Sequence, residues 1–177
     1  MPLLTALAIS IGVLGGFATY AFIGPAGGYS LQIWAAFVAW AAFYHSGGTS
    51  AALKSNIPAH LFGAFVGWVA LIGTTSLTGQ LGVPVAAGLC VGIGAAVMVI
   101  GANMAVFGSI PSSVYGFACV AAYALLAGKL GTLTSMTLVD NPFLNVAVSM
   151  TVGSLFGYLS QAVGLALAAK PRVAAAR

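Results

Sequence analysis

Charge is almost absent from this chain, and that absence decides which solvent its fold can use. Lys54, Lys129, Asp140, Lys170, Arg172 and Arg177 carry all its formal charge, and glutamate does not occur. A soluble domain is about a quarter charged, whereas here 3% of residues are charged and 61% are hydrophobic. The long stretches between the charges belong in lipid. There each backbone N–H and C=O must find its partner inside the protein, which a continuous helix provides by itself. The alternation of polar and apolar residues that a membrane β-barrel needs is missing, so the chain reads as an all-α polytopic membrane protein.

A bilayer core about 30 Å thick takes roughly 20 helical residues at about 1.5 Å each, which leaves room for about six crossings. Proline, glycine and polar punctuation places them at residues 3–23, 30–44, 58–78, 84–104, 111–127 and 142–168. One integral membrane domain, residues 1–177, is expected. The first segment lacks a basic flank and is too long for a signal-peptide core, so it reads as a retained span. Lys170, Arg172 and Arg177 put the C-terminus in the cytoplasm, and six crossings bring the N-terminus and Lys54 to the same side. Lys129 alone among the basic residues falls outside. This orientation accounts for the net positive charge through the lipid surface, and nucleic acid is not expected as a partner.

Cys90 and Cys119 lie in apolar helices, without the spacing of a metal site or redox pair, and read as small buried hydrophobes. Neither a metal nor a cofactor is expected. Glycines cluster as Gly12, Gly15, Gly16 and as Gly88, Gly92, Gly94. Small faces of this kind let helices approach closely in lipid, within one protomer or between copies of a homo-oligomer.

The stretch from Tyr44 to Pro58 is too polar and glycine-rich for another full span. It reads either as a cytoplasmic loop or as a re-entrant segment lining a cavity. Two signals hint at internal repeats, and they disagree. Asn56-Ile57-Pro58 resembles Ser109-Ile110-Pro111, each read as opening a helix with proline in the first turn. Leu61-Phe62-Gly63 echoes Leu155-Phe156-Gly157, which suits two inverted three-helix halves.

His45 and His60 flank the glycine-rich stretch and read as proton-handling groups or as interfacial and backbone-bonding side chains. Asn103 and Asn145 are read as lying within apolar spans, where an unpaired amide is costly, so each bonds another helix or lines a hydrated path. Asp140 reads as the N-cap of the last helix, which leaves no carboxylate in the membrane. That counts against a proton pump or a cation channel. A nucleophile with its base and orienting group cannot be assembled either, so no enzyme is expected.

A pore for small uncharged polar solutes, such as urea, ammonia or water, is the leading reading. Its lining would come from His45, Ser46, Gly47, Gly48, Asn56, Pro58 and His60 on one side. Asn103, Pro111, Ser112, Ser113 and Asn145 would supply the other, while Phe62, Tyr115 and Phe156 would either narrow it or pack in the core. A membrane scaffold without transport is the alternative. A coupled transporter is a third reading, in which His45 or Lys54 carries the coupling.

Four short stretches carry a family likeness: Ile11-Gly12-Val13-Leu14-Gly15-Gly16, Gly47-Gly48 followed by Lys54, residues Pro111 to Ala118, and Leu155-Phe156-Gly157-Tyr158. In these the chain resembles the bacterial inner-membrane proteins of domain-of-unknown-function family 1097. The resemblance implies a small polytopic inner-membrane protein and brings no catalytic residues with it.

Overall fold

Six α-helices, and no strand, make up the described residues, 1–168, of the computed structural model. They are α1 (Leu3–Ile23), α2 (Ile33–His45), α3 (Ser50–Leu81), α4 (Val83–Gly101), α5 (Ile110–Leu126) and α6 (Pro142–Leu167). By length and composition α1, α3, α4 and α6 can each cross a membrane, while α2 and α5 are shorter apolar helices. The fold is that of an all-α membrane protein. The basic residues Lys170, Arg172 and Arg177, on which the expected orientation rests, lie outside the described residues.

Helix packing divides the chain into two halves that exchange their third helices. α3 packs chiefly on α5 and α4 of the second half, and α6 packs chiefly on α2 and α1 of the first. α3 and α6 also meet each other, as do α2 and α5. Exchanging α1 with α4, α2 with α5 and α3 with α6 therefore maps every major contact onto another. Three helices per half make the two halves inverted with respect to one another. Short 3-10 turns at Gly27–Tyr29 and Ala105–Phe107, each just before the short helix of its half, obey the same exchange.

Glycine makes the swapped contacts possible. A Cβ on Gly63 of α3 would overlap the Ser113 carbonyl of α5, and one on Gly153 of α6 would overlap the Ala36 carbonyl of α2. Four residues further on, Gly67 lies against Phe117 and Gly157 against Phe43. Lipid supplies no hydrophobic drive between helices, so close backbone approach of this kind provides the attraction. Between the two ends, Ala35, Ala39, Ala64, Val120, Val146 and Met150 close the centre of the four-helix core with small and apolar side chains. α1 and α4 lie outside that core and turn Leu4, Val13, Phe17, Val85, Ile93 and Val99 outward.

Several local expectations need correction. α3 begins at Ser50, with Thr49 as its cap, so the glycine-rich stretch is a four-residue turn followed by helix and not an extended non-helical segment. Gly47 and Gly48 make that turn because both adopt positive φ, 97° and 63°. Pro58 lies inside α3 and opens nothing; Pro111 alone of the two prolines opens a helix. The Asn56 and Ser109 segments are thus alike in sequence and different in local structure. α4 ends at Gly101, which leaves Asn103 exposed outside the span, its amide bonded to the Ile100 carbonyl.

The cap of α6 is Asn141, whose Oδ1 accepts from the N–H groups of Phe143 and Leu144. Asp140 instead pairs with Lys129 at 3.0 Å in the α5–α6 connection. Hydrogen bonding to Lys129, then to Thr137, holds the Asp140 carboxyl below its ordinary range. The hydrogen bond to Asp140 raises Lys129.

Candidate functional site

Polar side chains inside the protein gather at two ends of the four-helix core, and the inverted halves make the ends comparable. At the first end α3 presents Asn56 and His60 one turn apart on a single face. Both are buried, as are Ser112 and Ser113 in the first turn of α5. The Ser109 hydroxyl donates to Ser112 Oγ at 2.8 Å, which leaves the Ser112 proton for Asn56 Oδ1 at 3.0 Å. Ser46, in the turn after α2, donates to the same oxygen at 3.0 Å. Asn56 thereby ties the end of α2 to the start of α5.

Asn145 does the equivalent work at the other end. Its amide nitrogen donates to the carbonyls of Tyr29 and Ser30, just before α2, and of Leu138, after α5, at 3.1 to 3.3 Å. One turn later the Ser149 hydroxyl accepts the N–H of Gln32, the N-cap of α2, at 2.9 Å. One and two turns further on come Gly153 and Gly157, at four-residue steps, as Gly63 and Gly67 follow Asn56 and His60 with a three-residue step between His60 and Gly63.

The two ends differ in what is satisfied. At the Asn145 end, Asn145 Nδ2 and Ser149 Oγ are bonded to the chain before α2, and Asn145 Oδ1 is the one atom of the pair buried without a partner. At the Asn56 end, Asn56 Nδ2, both ring nitrogens of His60 and Ser113 Oγ are buried without a hydrogen-bond partner. An orphaned buried polar group costs about 1–3 kcal/mol, and native proteins keep few of them, usually for a reason. His60 stands where Ser149 stands in the other half, yet it does not accept from Ser109, the N-cap of α5 that corresponds to Gln32.

Of the residues singled out in the sequence, the fold brings together Ser46, Asn56, His60, Ser112 and Ser113, with Pro58 on α3 between the asparagine and the histidine. His45 is exposed at the end of α2 and, with Val38, Ala41, Ala42 and Tyr115, borders a surface cavity of about 370 Å³ on the same end of the molecule. Gly47 and Gly48 shape the turn that carries Ser46. Pro111 is exposed in the first turn of α5.

Four others are elsewhere. Phe62 stacks on Phe107 with centroids 4.4 Å apart and faces Gly101 of α4. Phe156 stacks on Trp40 at 5.7 Å. With Tyr115 at the α2–α5 cavity, the three aromatic residues do not form one constriction. Asn103 is outside the membrane span, and Asn145 belongs to the opposite end. Sequence reasoning missed the pairing of Asn145 with Ser149 as the counterpart of Asn56 with His60. The signal was present as Asn145-Ser149-Gly153-Gly157 against Asn56-His60-Gly63-Gly67, one turn out of register with the Leu-Phe-Gly echo.

No curated protein and no solved structure matches the chain. A family model described as a protein of unknown function, DUF1097, matches residues 8–165, most of the chain. With its helices apolar and its fold all-α, this membrane protein belongs to the DUF1097 family.

Proposed function

We propose that this protein is a facilitator, not an enzyme, through which a small uncharged polar solute crosses a bacterial inner membrane between α2, α3, α5 and α6. One observation carries the reading: Asn56 Nδ2, His60 Nδ1 and Nε2 on α3, and Ser113 Oγ on α5, which packs against α3, are buried and without partners. They offer hydrogen bonds without fixed charge, which favours neutral solutes over ions. The cavity beside His45 and Tyr115 is the approach to this end. Lys54 lies in the same part of α3, so the positive-inside rule supports a cytoplasmic location for the cluster and for both termini.

Passage requires the apolar centre at Ala39, Ala64, Val120 and Met150 to part. Pro58 lacks the N–H that would bond the Lys54 carbonyl, which loosens α3 next to His60. Inverted halves supply two related ways of opening, one toward each side. Stopped-flow light scattering on proteoliposomes, challenged with urea, glycerol, ammonia and osmotic shock, tests the reading. A solute-specific acceleration over empty liposomes that is lost in Asn56→Ala with Ser113→Ala is expected. Permeability equal to empty liposomes for every solute would overturn it.

A scaffold role draws support from a different feature. Gly12 and Gly16 on α1, and Gly88 and Gly92 on α4, face open space and take no part in packing the protomer. Homo-oligomer formation through these helices is included in the proposal, and the mass of the protein in detergent with and without Gly16→Leu and Gly92→Leu tests it.

A further inference from the structure

We propose that Asn56 and His60 together form a binding site for a small uncharged amide, of the urea or simple carboxamide type. The proposal rests on the transport reading above and names its solute class. In the other half of the protein the chain itself bonds the amide nitrogen of the corresponding asparagine and the hydroxyl one turn later.

There, the amide nitrogen of Asn145 holds carbonyl oxygens, those of Tyr29, Ser30 and Leu138. The residue one turn later, Ser149, accepts an amide N–H, that of Gln32. The complement of this asparagine and its partner is thus a carbonyl and an N–H, supplied there by different peptide units. At the Asn56 end the same stations stand empty of protein partners: Nδ2 of Asn56 has no acceptor, and no N–H reaches His60. A neutral imidazole offers one nitrogen that accepts and one N–H that donates.

A urea or carboxamide molecule meets both needs at once. Its carbonyl accepts from Asn56 Nδ2, and one of its N–H groups donates to the unprotonated ring nitrogen of His60. Ser113 Oγ, also unpartnered, can take a second N–H or give its proton to the carbonyl. Asn56 stays oriented for this because Ser46 and Ser112 both donate to its Oδ1, which turns the nitrogen the other way. A polyol supplies hydroxyl groups without the planar pairing of carbonyl and N–H, and a site built for particular hydrogen bonds rejects an analogue that leaves them unmade.

The chain contains two histidines, which makes the test direct. Protein labelled with ¹⁵N-histidine in lipid nanodiscs is titrated with urea, acetamide and glycerol at equal osmolarity, with the His60 ring signals identified by their loss in His60→Ser. The same solutes are run in the proteoliposome assay. Urea and acetamide are expected to shift the His60 ring nitrogens while exposed His45 stays put, glycerol to shift neither, and amide flux to exceed glycerol flux by about tenfold or more, about 1.4 kcal/mol in selectivity. A His60 ring that ignores both amides, or that answers glycerol equally, overturns the amide site. A His60 shift by amides with no flux of any solute would sustain the site and overturn the facilitator; equal amide and glycerol flux with a silent His60 would do the reverse.

Discussion

Asn145 occupies in one half of the protein the place that Asn56 occupies in the other, yet the amide nitrogen of Asn145 donates to three carbonyls and that of Asn56 to none. Inverted repeats start from equal halves, so an inequality at corresponding buried positions separates what holds the fold together from what is left for another task.

Removing the two kinds of polar group should therefore move stability in opposite directions. Asn145→Leu strips three partly buried hydrogen bonds that tie α6 to the chain before α2 and after α5, and is expected to cost about 1–3 kcal/mol. His60→Leu removes two unpartnered nitrogens at a buried position and is expected to leave the melting temperature unchanged or raise it, while solute flux falls to the level of empty liposomes. Thermal unfolding in detergent and the flux assay, run on both variants, check this; a His60→Leu protein as unstable as Asn145→Leu would contradict it.

Gly63→Ala and Gly153→Ala are expected to be destabilising alike, each by at least about 1–3 kcal/mol, because backbone must yield to the new methyl group. Gly12→Ala and Gly88→Ala meet no neighbouring atom in the protomer and should change stability little. A thermal-shift series over the four variants distinguishes the two classes.

Asn141 caps α6 through two N–H groups and also donates to the carbonyls of Leu133 and Ser135. Asn141→Ala should cost about 1–2 kcal/mol. Asn141→Asp keeps the capping oxygen and loses the two donated bonds, so it is expected to fall between the wild type and the alanine variant in unfolding temperature.

The Lys129–Asp140 pair gives a stability term with a defined pH window. The carboxyl is held below its ordinary range, so its contribution is present above the unfolded value near 3.9 and lost as pH falls through the lowered value. Lys129 is raised, so its share is present below the unfolded value near 10.4 and lost as pH rises through the raised one. Both groups are solvent-exposed enough for screening to keep the effect small. The melting-temperature difference between wild type and Asp140→Asn should be constant from about pH 5 to 9, shrink in strong acid, and diminish with added salt. A difference that grows on acidification would contradict the assignment.

From sequence alone came the solvent, the helical class, the family, the number of helices and the bounds of α1, because the scarcity of charge and the run lengths of apolar residues act locally and add along the chain. Asn56, His60, Ser112 and Ser113 were legible as candidates for the same reason: a polar side chain beside an apolar run must be explained wherever it lies. Proline and capping residues misled at Pro58 and Asp140, since each motif suits a helix start and only neighbouring elements decide where a helix begins. The tertiary structure alone decided which polar atoms found partners. Asn145 meets Tyr29, and Asn56 meets Ser112, across long stretches of sequence. Whether a buried amide is satisfied depends on the position of a group from another helix to within a few tenths of an ångström, and no local pattern carries that information.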